Sequence, residues 1–212
     1  MKQAHLMTIY QRLFDAYGPQ NWWPADSTFE VMVGAVLTQN TAWVNVEKAI
    51  TNLKCSSCLS LDRVLASSDD DLAQLIRPSG YFNIKVRRLK NLCKWVVENG
   101  GETKLADIDT VTLRSSLLSV NGVGPETADD IMLYAFERSV FVIDTYTRRL
   151  FTKLGLIKGS EPYEQLRQFF EAELEPDVSL FNQYHALIVR HAREKCFESF
   201  NCRHCIVENP IF

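Results

Sequence analysis

The stretch LLSVNGVGPETADDIMLYAF, residues 117–136, places a tight turn between two apolar segments. Gly122 and Gly124 flank Val123, so the turn can adopt backbone torsions that other residues avoid and can lie close to a neighbour. Pro125 has a φ suited to the first turn of a helix. The pattern predicts a helix, a hairpin and a second helix. Such a unit is either an ordinary corner between packed helices or a site where backbone N–H groups at a helix amino terminus bind a phosphate.

The rest of the sequence also has a helical pattern. Apolar residues recur every three or four positions, whereas the alternating, β-branched runs typical of strands are scarce. The sequence therefore predicts an all-α protein, with Ser27, Ser68 and Asp144 placed to cap helices. The predicted helices cover roughly 3–17, 27–38, 43–53, 60–67, 69–76, 82–98, 110–118, 125–137, 145–154, 161–173 and 178–194.

Composition limits the classes of function. Of the 212 residues, 46% are hydrophobic, which suffices for one large domain or two small lobes. The formal charge of -3 means that an anionic partner must be bound by a local basic surface. No apolar run approaches the ~20 residues of a bilayer span, and the amino-terminal pattern is helical, not secretory. We expect a cytoplasmic protein without membrane contacts. The stretch YGPQNWWPAD, residues 17–26, is a candidate junction between two lobes.

Several ordered segments of the sequence resemble the endonuclease III superfamily of DNA glycosylases. The quoted hairpin and the following Asp144 match its helix-hairpin-helix and Gly/Pro-Asp signature. The resemblance extends to the cysteines of the carboxyl-terminal tail. The other matching segments are FEVMVGAVLTQNTAWVNVEKAI, RPSGYFNIKVRRLKNL and VFVIDTYTRRLFTKLG.

The resemblance implies two helical lobes with a DNA-binding cleft between them. It implies a six-helix barrel over 21–135, which includes the helix-hairpin-helix motif at about 110–137, and a terminal helical domain made from 1–20 and 136–212. The implied partner is double-stranded DNA that contains a damaged base, bound by a monomer. The expected setting is the bacterial cytoplasm, in association with the nucleoid.

Asp144 follows the apolar run VFVI and precedes the helical segment TYTRR. An aspartate in this position is ordinarily a helix cap worth roughly 1 kcal/mol. By resemblance it matches the catalytic aspartate of the family, and capping does not exclude that role. Cleavage of an N-glycosidic bond builds positive charge on the sugar, which a fixed carboxylate can stabilise while it helps water attack. We therefore assign both roles to Asp144.

Glu126 occupies the position where bifunctional endonuclease III enzymes carry a lysine. A carboxylate cannot form a Schiff base, so the lysine-based lyase route is absent. The pattern GVGPETAD is similar to the bacterial 3-methyladenine DNA glycosylase III branch, which implies hydrolytic release of an alkylated purine. The alternatives are an endonuclease III-like enzyme for oxidised pyrimidines, a catalytically silent module that binds DNA lesions, and a helical scaffold whose hairpin is only a corner.

Aromatic residues are candidates for a base pocket. Trp22, Trp23 and Trp43 either fill the core or stack on an extruded base. The resemblance aligns the Trp-Trp-Pro run, which ends at Pro24, and Trp43 with base-stacking positions. Alkylated purines such as 3-methyladenine carry positive charge, and the face of tryptophan attracts cations. The resemblance therefore implies an aromatic pocket for a cationic base.

Polar and basic residues are candidates for contacts with the duplex. Gln39 and Asn40 interrupt an apolar helix; capping is the ordinary explanation, and the resemblance assigns Gln39 as a wedge in the duplex with Asn40 in support. Charged runs are commonly solvated helix faces, but here they offer a track for phosphates. The residues assigned to DNA phosphates are Gly122, Val123, Gly124, Thr127, Lys85, Arg87, Arg148 and Arg149.

The cysteines form two groups. Cys55 and Cys58 are predicted to be structural thiols, because no second pair accompanies them. In the resemblance, three tail cysteines correspond to three ligands of a four-iron four-sulfur cluster, and the fourth ligand would fall near Ile211. Three thiolates can hold a cluster with a water, a histidine or another group on the fourth iron, or the loop can fold without metal. These three cysteines are Cys196, Cys202 and Cys205.

Overall fold

The computed structural model describes residues 2–195 and 206–207, and all regular structure in these ranges is helical. The all-α prediction is confirmed. A 3₁₀ turn covers Arg77–Ser79, and a π-helical segment covers Ile131–Ala135. The α-helices are α1 (Lys2–Tyr17), α2 (Thr28–Leu37), α3 (Trp43–Cys55), α4 (Leu61–Ala66), α5 (Asp69–Ile76), α6 (Phe82–Glu98), α7 (Glu102–Ala106), α8 (Thr110–Leu118), α9 (Pro125–Asp130), α10 (Thr145–Lys153), α11 (Tyr163–Glu173) and α12 (Val178–Lys195).

The chain divides into two compact units. One unit is Ala25–Arg138, and the other consists of the described parts of Met1–Pro24 and Ser139–Phe212. The assignment of a six-helix barrel to 21–135 and of a terminal domain to the remaining residues stays a prediction. Within the described residues, no helix has the length and apolar character that a bilayer crossing requires.

Helix α2 lies at the centre of the unit Ala25–Arg138. All of its residues from Phe29 to Leu37 are buried, and α3, α6, α9 and the π-helical segment pack around it. A helix that is apolar on nearly every side needs such surroundings. Ser27 caps α2 by accepting a hydrogen bond from the Glu30 N–H at 3.2 Å. The predicted caps at Ser27 and Ser68 are both confirmed.

A buried lysine joins the end of α2 to the 3₁₀ turn. Lys85 of α6 is 1% exposed, and its ammonium donates to the carbonyls of Leu37 at 2.8 Å and Ser79 at 2.7 Å. The Thr41 hydroxyl donates to the same Ser79 carbonyl at 2.6 Å. Burial, with a smaller contribution from the charge of Arg88, lowers the pKa of Lys85 to about 8. This placement corrects the prediction that Lys85 binds a DNA phosphate, because its ammonium is directed at backbone carbonyls.

The predicted helix, hairpin and second helix are present as α8, a turn and α9. Gly122 in the turn has a φ of +100°, in the region that favours glycine. A Cβ atom at this position would lie 2.3 Å from Cγ of Arg88, so the turn packs directly against the stem of that side chain. The second helix differs from the prediction, since α9 ends at Asp130 and continues as the π-helical segment.

The second unit has an aromatic core. The rings of Phe141 and Phe170 stack with their centroids 4.6 Å apart, and Phe181 and Tyr184 of α12 meet Phe141 edge to face. The buried Tyr184 hydroxyl donates to the Leu6 carbonyl at 2.8 Å. These contacts hold α12 against α1 and α10. The start of α10 and the middle of α12 are therefore fixed relative to each other.

Replacement of Lys85 by methionine tests its structural role. The change leaves the Leu37 carbonyl without its donor, whereas the Ser79 carbonyl keeps the Thr41 hydroxyl. We expect the free energy of unfolding at neutral pH to fall by about 1–3 kcal/mol. Because the pKa of Lys85 is about 8 in the folded state against an ordinary 10.5, the unfolded chain binds more protons between these values. The wild type should therefore gain stability relative to the variant as pH rises through this range. Denaturant unfolding at several pH values measures the difference, with Lys104→Met as an exposed control. A pH-independent difference would contradict this account.

A glycine pair in the hairpin provides a second test. Gly122→Ala should lower the free energy of unfolding by about 1–3 kcal/mol, because the new Cβ meets Arg88 and the backbone has a positive φ. Gly124 has a φ of −91° and open space around its Cβ position. Gly124→Ala, the matched control, should therefore change stability by less than about 0.5 kcal/mol. Equal effects in thermal or denaturant unfolding would show that the Arg88 contact is unimportant.

Candidate active site

Asp144 caps α10 through one oxygen of its carboxylate. Its Oδ1 accepts a hydrogen bond from the Thr147 N–H at 2.7 Å, and the residue is 9% exposed. The predicted cap is therefore confirmed. The backbone is extended at this point, as expected of a residue that precedes a helix. The capping hydrogen bond thus uses Oδ1, and Oδ2 has a different neighbour.

His185 of α12 faces the second oxygen of Asp144. Its Nε2 lies 3.6 Å from Oδ2, and both side chains are nearly buried. This distance is that of an ion pair, longer than a direct hydrogen bond. Burial alone raises the pKa of Asp144, but His185 and the capping contacts of Thr147 outweigh it and hold the pKa below its ordinary value of 3.8. Asp144 is therefore a carboxylate at neutral pH. His185 was not among the residues predicted from the sequence; its one signal is a polar residue on the buried face of the amphipathic helix α12.

The structure brings two of the candidate pocket residues together. The rings of Trp22 and Trp23 lie with their centroids 5.3 Å apart and an interplanar angle of 49°, in the same unit as Asp144. Both side chains are half-buried, and Pro24 is exposed. Trp43 belongs to the other unit, where its Nε1 donates to Glu47 Oε1 at 2.9 Å. The assignment of these residues to a base pocket stays a prediction.

Gln39 uses both ends of its amide, one on the hairpin and α9 and the other on Arg88 of α6. Its Nε2 donates to the Gly122 carbonyl at 3.1 Å and to Thr127 Oγ1 at 2.8 Å, and its Oε1 accepts from Arg88 at 2.5 Å. A wedge role for Gln39 would require these contacts to break. Asn40 is exposed and has a φ of +53°, a region that asparagine tolerates. Thr127 is buried with its hydroxyl on Gln39, so the structure does not support a side-chain contact from Thr127 to phosphate.

A basic groove runs between α6 and the hairpin turn. Its volume is about 770 Å³. Arg87 and Lys94 are exposed along it, and the Asn91 side chain donates to the Asn121 carbonyl at 3.0 Å, which joins the groove to the turn. The lining thus has four cationic side chains against one carboxylate; of these, Lys90 is paired with Asp69 and Arg88 donates to Gln39. Its lining residues are Leu65, Asp69, Ile84, Arg87, Arg88, Lys90, Asn91, Lys94, Asn121 and Gly122.

The other predicted site residues have different surroundings. Arg148 donates to the carbonyls of Gly159 at 3.3 Å and Glu161 at 2.8 Å, so its guanidinium holds a turn of its own unit, which does not support a role in binding phosphate. Arg149 lies over the ring of Tyr146, 5.7 Å from its centroid. Glu126 is exposed in the first turn of α9, where the helix dipole favours a carboxylate.

The tail cysteines lie outside the described residues, so the prediction of cluster ligands at Cys196, Cys202 and Cys205 stays a prediction. Cys55 is exposed, and the Cys58 thiol donates to the Ser56 carbonyl at 3.3 Å. Over 2–195 and 206–207, no group of three or more His, Cys, Asp or Glu side chains is arranged to hold a metal ion.

Comparisons with known proteins show the family of this chain. The family model described as HhH-GPD superfamily base excision DNA repair protein matches residues 33–176. A candidate DNA repair glycosylase of Methanocaldococcus jannaschii is 48% identical over 203 residues, which cover 94% of this chain and 92% of that protein. Endonuclease III of Sulfolobus acidocaldarius is 28% identical over 80% of this chain and 74% of its own length.

A solved structure shares the fold closely. The 3-methyladenine DNA glycosylase of H. pylori, bound to 1,N6-ethenoadenine, superposes with a TM-score of 0.77 and 29% identity, over 91% of this chain and 97% of that one. The resemblance to the endonuclease III superfamily predicted from the sequence is thereby confirmed. From the match over residues 33–176 and the relative of 48% identity, the chain belongs to the HhH-GPD superfamily of base excision DNA repair proteins.

Proposed function

We propose that this HhH-GPD DNA repair glycosylase hydrolyses the N-glycosidic bond of alkylated purines in double-stranded DNA and leaves the strand uncut. The observation that carries the proposal is Asp144, a nearly buried carboxylate whose pKa lies below its ordinary value. Such a group is charged and fixed in place, as stabilisation of a developing cation requires. It stands at the position of the family's catalytic aspartate.

In the proposed reaction, the bond between C1′ and the base nitrogen breaks and the base leaves with the electron pair. Positive charge then develops on the sugar, and the Asp144 carboxylate stabilises it. Water adds its oxygen to C1′, and its proton is transferred to the carboxylate or released to solvent. Because Oδ1 is bound to the Thr147 N–H, Oδ2, which lies 3.6 Å from His185, is the oxygen proposed to act on the sugar.

Glu126 supports a hydrolytic reaction. It stands at the position of the lyase lysine, exposed in the first turn of α9. A carboxylate there cannot attack the sugar to form a Schiff base. The product is therefore an intact abasic site with a free base.

An alkylated purine is the proposed substrate. The tryptophan pair Trp22 and Trp23 offers aromatic faces in the unit that holds Asp144, and such faces attract a flat cationic base. The similarity to the H. pylori 3-methyladenine DNA glycosylase supports this substrate class. The proposed contact surface for DNA phosphates is the hairpin turn together with the basic groove beside it.

A second candidate is an endonuclease III-like enzyme for oxidised pyrimidines. The similarity to the Sulfolobus acidocaldarius endonuclease III favours it. It predicts release of oxidised pyrimidines and, if another lysine reached the sugar, strand cleavage through a covalent intermediate. Glu126 argues against the cleavage step.

Base release from defined DNA duplexes tests these alternatives. Duplexes with single alkylated, oxidised or deaminated bases are incubated with the protein, with and without borohydride, and released bases are identified. We expect alkylated purines to be released, no covalent adduct, and a loss of at least about a hundredfold in rate for Asp144→Asn. Asp109→Asn is the matched control, because Asp109 also caps a helix but is exposed in the other unit. A trapped adduct, release of oxidised pyrimidines alone, or an unchanged rate for Asp144→Asn would refute the proposal.

The salt dependence of DNA binding tests the basic groove. Each lost phosphate contact lowers the slope of log K against log salt by about 0.9. Arg87→Ala combined with Lys94→Ala should therefore reduce the slope by about 2. The control is Lys48→Ala with Lys104→Ala, which removes the same charge from exposed lysines elsewhere in the unit. The same reduction in both double variants would mean that only net charge matters.

A further inference from the structure

The Asp144 carboxylate has a separate partner for each oxygen. Oδ1 is committed to the Thr147 N–H at 2.7 Å, and Oδ2 faces His185 Nε2 at 3.6 Å. We infer that His185 is a positioning residue: its imidazolium keeps the carboxylate ionised and fixes the direction of Oδ2. This inference rests on the proposed role of Asp144 in base release.

A buried carboxylate requires such a partner. Removal from water favours the neutral acid, and a single backbone N–H provides only part of the lost hydration. Asp144 is nevertheless held in its charged form, with its pKa below the ordinary value in spite of burial. The groups that act against burial are His185, from α12, and Thr147, from the helix that Asp144 caps. Of these two, only the imidazole can carry a charge.

The fold gives the imidazole little freedom. His185 is 5% exposed and directly follows Tyr184, whose hydroxyl is bound to the Leu6 carbonyl. Titratable groups also approach α12 from α1: Tyr10 meets the ring of Tyr184, and the Tyr17 hydroxyl lies 2.9 Å from Nδ1 of His191. His185 itself lies against Asp144, ahead of α10.

His185 is thereby distinct from a catalytic residue. It contacts the carboxylate and acts on the reaction through it. In the wild type, the ion pair keeps Asp144 charged down to acidic pH, so base release should persist there. Without the imidazolium, burial should prevail and Asp144 should take up a proton at higher pH.

Carbon NMR titration of the aspartate carboxyl groups tests this inference without any substrate. The Asp144 signal is assigned by its disappearance in Asp144→Asn. Loss of a close opposite charge raises a carboxyl pKa by about 1–3 units, so His185→Gln should raise that of Asp144 by this amount. His185→Lys, which restores a positive charge, should reverse most of the change. His191→Gln, the matched control, removes another buried imidazole of α12 and should leave the titration of Asp144 unchanged.

In His185→Gln, the pH below which the single-turnover rate of base release falls should rise together with the pKa of Asp144. An unchanged Asp144 titration in folded His185→Gln, or an equal shift in His191→Gln, overturns the inference. If His185→Gln does not fold, His185→Asn takes its place under the same criterion, and an unchanged Asp144 titration in that variant overturns the inference. If the Asp144 titrations give the expected results but the protein releases no base, the proposed function is refuted and the inferred contact between His185 and Asp144 is retained.

Discussion

A carboxylate can stabilise a cation only while it is charged, and a nearly buried position works against that charge. This constraint explains the arrangement around Asp144. Thr147 satisfies one oxygen and His185 faces the other. The supporting helices are held by Phe141, which stacks on Phe170 and meets Tyr184 edge to face. The aromatic core of this unit thus serves the geometry of a single acidic group.

In the other unit, polar side chains hold a loop against its neighbours. Its loop at 38–41 is tied on one side to the hairpin through Gln39 and on the other to the 3₁₀ turn through Thr41 and Lys85. Three irregular segments are thus joined by the half-buried Gln39 and Thr41 and the buried Lys85, whose hydrogen bonds are satisfied. The basic groove lies beside this assembly, so its cations are presented from a fixed surface.

The local patterns of the sequence predicted much of this fold. Helices, the caps at Ser27 and Ser68, and the hairpin depend on neighbouring residues, and they are present in the structure. Lys85 was predicted to bind a DNA phosphate because it stands in a run of basic residues. Lys85 lies on the same helix face as the buried Leu89 and Leu92, four and seven positions further on. The helical periodicity alone would therefore have predicted that Lys85 is buried.

Contacts between distant residues could not be predicted in the same way. His185 lies on the buried face of an amphipathic helix, where a histidine is ordinarily a satisfied core residue, and nothing near it in sequence points to Asp144. The contacts of Gln39 with Gly122 and Thr127 likewise join parts of the chain more than eighty residues apart. Tertiary packing brings these pairs together, and short-range patterns carry no information about it.

The packing of the Arg88 stem on Gly122 also limits which residues can replace either of them. An alanine at 88 would remove the conflicts with Cγ and Cδ but leave a contact of 3.0 Å with Cβ, and the positive torsion at 122 would still favour glycine. A mutant library that varied 122 alone would therefore return almost only the parental residue. Positions 88 and 122 have to be randomised together, with asparagine included at 122, before alternative turns can be recovered.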